Sequence, residues 1–255
     1  ASLIASGGQG LDVQNLRSDP GWMKMDQDRW WLSEQNGITT PLADRIEQKI
    51  IKMLDRQPIW ERSTMIREIY HQFNRQTAPE LTLVNACLDA YTQPLSEKKV
   101  DQITIRDEDD PQGREREIRQ LKQSLKSLAD RLDYQAKLTG SGDVIWIQEG
   151  RIRYLFRCLA TAIVTPHLSD PPEADGGQRC LVLPGGRAAL IHLKLKRDPR
   201  LLQWLDLHQW QFIKFRHLRR MVQQVKSQSE IEVFLGLDPI VERGQAQIPL
   251  PLKTR

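Results

Sequence analysis

Between Pro41 and Tyr91 the apolar residues recur at helical spacing in three separate runs. The first stripe is Leu42, Ile46, Ile50, Met53 and Leu54, with Pro41 suited to a first-turn position after Thr39 and Thr40. The second, over Glu61–Arg75, carries Met65, Ile66, Ile69, Tyr70 and Phe73. The third, over Pro79–Tyr91, carries Leu81, Val84, Cys87, Leu88 and Tyr91. The period shortens at Gln102–Arg106, which predicts a strand. A longer helix is expected at Arg114–Leu132: Ile118, Leu121, Leu125, Leu128 and Leu132 make its core stripe, and Arg114, Glu115, Arg116, Glu117, Arg119, Lys122 and Lys126 its solvated face.

Tyr134–Leu138 reads as a short strand, and the rest of the chain is arranged around Asp143–Leu159. There, two runs of β-branched and aromatic residues are split by Gln148-Glu149-Gly150, the signature of a hairpin. A helix is expected over Leu159–Leu168, a polar loop over Pro171–Gly177 and a buried strand over Arg179–Leu183. Pro184-Gly185-Gly186 turns that strand into a helix toward Leu195. A further helix over Asp198–Leu207, a strand over Gln211–Phe215 and a basic helix over Arg216–Lys226 complete the pattern. Residues 1–40 show little period, but Trp22, Trp30 and Trp31 are too apolar to stand in water, so this arm is expected to pack on another surface.

Three short helices and a strand predict a winged-helix-like segment. The order that follows, helix, three strands, helix, strand, resembles the core of the restriction-endonuclease-like fold. The fold class is therefore α/β (α+β): a helical winged-helix-like segment followed by a mixed sheet flanked by helices on both faces. The divisions are an arm over 1–40, the helical segment over 41–106, the α/β domain over 107–228 and a tail over 229–255.

Composition narrows the class. The chain has 255 residues, 39% hydrophobic and 27% charged, enough for a sizeable core and unlike a disordered protein. No apolar run is long enough to span a bilayer, and no signal peptide opens the chain, so a cytoplasmic location is expected. Cys87, Cys158 and Cys180 are widely spaced in apolar contexts and read as buried thiols; neither they nor the scattered histidines form a metal-ligand pattern. The chain opens without methionine and reads as a segment of a longer protein. The formal charge of +4 is concentrated: from Arg179 to Lys226 eleven basic residues face only Asp198 and Asp206. Such an excess suits a phosphate-rich partner, against the plainer reading of a solvated helix face.

The candidate chemistry lies at the head of the hairpin. Asp143 stands where a nuclease of the restriction-endonuclease-like class places its first metal-binding carboxylate. The second strand should then supply Glu-x-Lys or an acidic pair, and Phe156-Arg157-Cys158 stands there instead; an arginine repels Mg²⁺ and a thiol is a poor ligand for it. Asp143 is thus read as a relic of catalysis, level with a turn or strand-edge aspartate. Asp107-Glu108-Asp109-Asp110 lacks the alternation and central glycine of a Ca²⁺ loop and is expected to cap the helix after it. Gly185-Gly186 lacks the further glycine or the Gly-Lys-Ser/Thr of a nucleotide loop and reads mainly as steric punctuation, with a DNA phosphate beside Arg187 the alternative. The third helix carries Glu80 and Asp89 and no cation, the wrong charge for lying on phosphates, so a packing role is expected for it. Neither a metal nor a cofactor is expected.

Several stretches carry a family resemblance: Pro41–Glu47, Ile105–Asp109, Val182–Arg187, Lys194–Pro199, Phe212–Leu218 and Ile248–Leu252. Together they resemble the C-terminal, non-catalytic region of large bacterial DNA methyltransferases and methylase-associated phage-defence proteins. No methyltransferase motif accompanies them. The resemblance implies a pseudo-nuclease accessory region whose partners are DNA, gripped by its backbone, and the rest of a larger protein. Arg187, Lys194, Arg197, Lys214, Arg216, Arg219 and Arg220 are the candidate DNA contacts. The rival readings are an active Mg²⁺-dependent endonuclease and a protein–protein scaffold.

Overall fold

The computed structural model describes residues 40–73, 78–169 and 177–236, together with the backbones of two paired strands, β1 (Trp22–Lys24) and β2 (Trp30–Leu32). The rest of the expected arm, most of the tail after residue 236 and the Ile248–Leu252 stretch lie outside the described residues.

The first half runs α1 (Leu42–Arg56), β3 (Ile59–Glu61), α2 (Arg62–Phe73), α3 (Leu81–Tyr91), β4 (Thr92–Ser96) and β5 (Lys99–Ile105). Its strands form an antiparallel sheet in the order β3-β5-β4, with β4 and β5 joined as a hairpin. The three helices lie where the apolar spacing puts them. Of the strands, only β5 was legible, because β3 is three residues long and β4 is interrupted by Pro94.

The second half opens with α4 (Pro111–Arg131), whose first turn is capped by Asp110, its carboxylate accepting from the Gly113 amide at 2.7 Å. Strands β6 (Gln135–Leu138), β7 (Val144–Gln148) and β8 (Arg151–Cys158) form an antiparallel meander. Glu149 and Gly150, both at positive φ, make the two-residue turn between β7 and β8, the geometry that suits the strands' twist. Beyond a short α5 (Thr165–Ser169) come β9 (Gln178–Leu183), α6 (Ala188–Arg197), α7 (Pro199–Leu207), β10 (Trp210–Lys214), α8 (Phe215–Gln224) and α9 (Ile231–Leu235). The sheet order is β10-β9-β8-β7-β6, with β8, β9 and β10 mutually parallel. The protein is a mixed α/β fold, a five-stranded sheet flanked by helices with a helical N-terminal part.

Alternation along the strands divides the interior. Val144, Trp146, Tyr154, Phe156, Cys180 and Val182 point to the face covered by α4, α8 and α9. Trp146 lies 4.9 Å from Phe156 and 5.4 Å from Tyr134, ring centre to ring centre, an aromatic cluster that accounts for the composition of the hairpin. Leu181 and Leu183 point the other way, into a cluster shared with Leu190, Ile191 and Leu195 of α6 and with Ile46, Ile50, Met65, Val84 and Leu88 from the first half. The interior is therefore continuous across residue 106, where the sequence suggests a division.

A buried ionic network crosses the same boundary. The Lys194 ammonium, 1% exposed, donates to Asp44 Oδ1 at 2.6 Å, to Glu47 Oε2 and to the Ala162 carbonyl at 2.7 Å. Glu47 also accepts from the Ala162 amide at 2.6 Å and from the Tyr91 hydroxyl. This explains one difference from the sequence pattern. Residues 159–164 are not helical, because Leu159 donates to Val182 as an extension of β8 and Ala162 is held at both backbone groups by the network, leaving a helix only at Thr165–Ser169.

Burial opposes the charge on Lys194, but Glu47 and Asp44 outweigh it and hold the ammonium above the usual lysine range. A raised lysine contributes its stability fully below its ordinary pKa and loses it only as pH climbs through the raised value, while burial pushes the Glu47 carboxyl above the usual carboxylate range against the pull of Lys194. Removing one member of such a cluster strands the others without compensation. Lys194→Ala is expected to cost about 3–5 kcal/mol in urea denaturation, whereas Lys194→Met with Asp44→Asn and Glu47→Gln recovers most of that loss. A Lys194→Ala midpoint equal to the parent's would show that the charges do not fasten the halves together.

Candidate functional site

Asp143 immediately precedes β7, on the far side of the turn that links it to β6. Its carboxylate is 5% exposed and engaged on every side. Arg157 of β8 approaches it from across the strand pair, Nε donating to both oxygens at 3.0 Å and a terminal nitrogen to Oδ2 at 2.6 Å. Ser141 donates to Oδ2 at 3.0 Å. The guanidinium also reaches Nδ1 of His167 at 3.1 Å and lies over the Trp210 ring at 5.5 Å from its centre. A fork-shaped cation thus sits against the carboxylate where a metal-binding nuclease would need an ion, and the arrangement holds Asp143 by the strongest kind of hydrogen bond available to it.

The register also corrects the sequence reading of the second strand. Val144 pairs with Phe156 and Ile145 with Leu155, so the residue facing Asp143 is Arg157. Alternation places Leu155 beside Arg157 on that face, while Phe156 and Cys158 turn to the opposite one. The positions equivalent to an acidic-x-basic pair are accordingly Leu155 and Arg157. Burial pushes the Cys158 thiol up to about 12, and likewise the thiols of Cys87 and Cys180. All three cysteines are free. Among the described residues no group of three His, Cys, Asp or Glu side chains is placed to hold a metal ion.

The proposed phosphate contacts separate into two sets. Arg187 is 1% exposed: it pairs with Asp109 at 2.7 Å, donates to the Ala90 carbonyl and lies 3.7 Å from the centre of the Tyr91 ring. Lys194 is in the network described above. Arg197 is largely covered and pairs with Glu80 at 2.8 Å. Arg187 and Lys194 are thus interior ion-pair residues and not phosphate contacts, a correction whose physical cause is the first half packing over α6. The remaining set lies across the sheet, Lys214 at the end of β10 and the arginines on α8. Arg216, Arg219 and Arg220 are exposed, Lys214 is half-buried, and Arg219 pairs with Glu117 of α4. The two sets therefore do not converge on one surface.

No protein-family model matches the chain, and no curated protein does. The remaining candidates are decided by their surroundings. The Gly185-Gly186 turn is bordered by an ion pair: a Cβ at Gly186 would lie 3.2 Å from Glu108 Oε1 and 3.6 Å from a terminal nitrogen of Arg106. Helix α3 is largely buried between α1 and α6, and Arg62 ties its outer polar residues, reaching Asn85 at 2.9 Å and Asp89 at 2.8 Å. It is a packing helix. Sequence reading missed Asp44, Glu47 and Asp109 as the partners of buried cations. Asp44 and Glu47, three apart beside an apolar stripe, were the available signal.

Two outcomes check this site. Arg157→Ala removes charged hydrogen bonds to a nearly buried carboxylate, and urea denaturation should show a loss of about 2 kcal/mol with no gain of Mg²⁺-dependent cleavage. Because the thiols stay protonated up to strongly alkaline pH, native protein at pH 8 should react with a chromogenic disulfide far more slowly than unfolded protein. Rapid native labelling of Cys158 would show an accessible, activated thiol.

Proposed function

We propose that the chain is a non-catalytic module that engages duplex DNA through its backbone phosphates, as part of a larger cytoplasmic DNA modification or defence protein. The observation that carries this reading is the outer face of α8. Arg216, Arg219 and Arg220 stand three and four residues apart on one helical face and are exposed, Arg219 also pairing with Glu117, while Phe215, Leu218 and Met221 anchor the other face in the interior. Such a row suits an evenly charged partner more than a shaped pocket.

The absence of catalysis in this reading follows from Arg157. A one- or two-metal nuclease needs clustered carboxylates to hold Mg²⁺, and here the carboxylate at the head of β7 is saturated by a guanidinium, with Leu155 in place of a second acid. A groove-reading role for α3 finds no support, since its exposed residues, Leu81, Thr82 and Asp89, include no cation. Contact with DNA is therefore sequence-tolerant in this proposal.

Changing Arg216, Arg219 and Arg220 together to Ala should weaken duplex binding and flatten the slope of log affinity against log salt by about two to three units, read by fluorescence anisotropy across a salt series. An unchanged affinity and slope would leave α8 merely solvated, the outcome a protein–protein scaffold predicts. Asp89→Ala, on the packing helix, should shift affinity by no more than a few-fold.

A further inference from the structure

Helix α1 has a second charged face that the apolar stripe conceals. Asp44 and Glu47 turn inward to Lys194, while Arg45, Lys49, Lys52 and Arg56 line a shallow groove of about 350 Å³ with Gln48, Met53, Gln72 and Phe73. At 100° per residue the four cations fall within an arc of about 60°, in a row about 16 Å long. Among the described residues no carboxylate lines the groove: Asp55, also on α1, lies off that arc. Among the described residues Lys49, Lys52 and Arg56 make no ion pair, and their spacings of three and four residues make them mutually repulsive. Arg45 is held over the Phe73 ring, 5.2 Å from its centre, and Phe73 itself is 2% exposed.

We propose that this groove seats the sugar–phosphate backbone of a DNA duplex, as a second contact distinct from α8. The inference rests on the DNA-binding reading above and extends it to a second surface. Three features specify the ligand. The cations form a line rather than a cup, which fits successive phosphates on one strand. The glutamines at the rim offer donors to sugar and phosphate oxygens. Among the described lining residues the one aromatic ring is buried beneath Arg45 and offers no platform for stacking an unpaired base, so the groove grips backbone and not sequence. An anion laid along the row relieves the repulsion among its lysines and arginine while releasing condensed counterions from the DNA.

The test compares the full chain with two combined variants, Lys49→Ala/Lys52→Ala/Arg56→Ala and Arg216→Ala/Arg219→Ala/Arg220→Ala, on a short fluorescent duplex across a salt series. Both sets are surface positions, and thermal melting verifies folding; Gln in place of Ala gives the same reading if an Ala variant melts early. The α1 variant is expected to bind about tenfold or more weakly near physiological salt, with the salt slope reduced by about two to three units. If the α1 variant alone loses affinity and slope, the groove is the DNA contact and the α8 assignment falls. If only the α8 variant does so, the groove proposal is overturned and the DNA-binding reading stands. A parent chain that binds no duplex even at low salt overturns both.

Discussion

The structure depends on one lysine held out of water. Lys194 has three oxygen partners, two of them carboxylates on a helix that precedes it by well over a hundred residues. Moving such a group from water to an apolar interior is prohibitive unless its partners arrive with it, so the α/β half cannot adopt this packing unless α1 is already in register over α6. Arg187 imposes a similar condition just before α6, since Asp109, the Ala90 carbonyl and the Tyr91 ring must all be in place around its guanidinium. The apolar cluster shared by the two halves supplies most of the burial, and these directional bonds select which packing it adopts.

The same packing determines what surface is left for function. The helix that would enter a groove in a free-standing three-helix unit is covered, and the sheet face beside Asp143 and Arg157 is turned toward the shared cluster through Leu155. Two rows of outward cations lie on α1 and α8, which pack into the two different core clusters. Their exposed cations have in common that the opposite face of each helix is fixed in the interior, so the charged rows are presented by rigid elements.

How much of this was readable in the chain varies with the physics of each feature. The longer helices and the five-stranded sheet follow from apolar period, since each has one face to bury, and the Gln148–Gly150 turn follows from the need for positive φ; the short α9 does not, and it places Ile231 and Leu235 in the interior where a tail is expected. Strands β3 and β4 are too short or too interrupted to show a period. Residues 159–164 carry apolar side chains at nearly helical spacing, yet their course is set by hydrogen bonds to Glu47 and Lys194, partners remote in sequence. The absence of a metal-binding pair was visible at Arg157, but the facing residue on its strand required the register, which places Leu155 and not Phe156 beside it. The largest error was electrostatic. A count of basic residues between Arg179 and Lys226 treats interior and surface cations alike, and the two most deeply buried of them, Arg187 and Lys194, answer to Asp109, Asp44 and Glu47 in another part of the chain.

The role of Ala162 has a consequence for how this protein can diverge. The network grips the amide and carbonyl of that residue, so the contact imposes backbone shape, while burial of Ala162 and Val164 in the shared cluster limits the side chains that fit beside it. One insertion or deletion through residues 159–164 would displace the joint even where apolar side chains were kept. The constraint is on length as well as on side-chain size. Recombination that exchanges one half for another must carry the loop spacing with it, or the imported lysine finds no oxygen and the imported carboxylates no cation. In lineages descended from this chain the two halves should be inherited as a single unit, with their strictest bookkeeping in a stretch whose sequence looks unremarked.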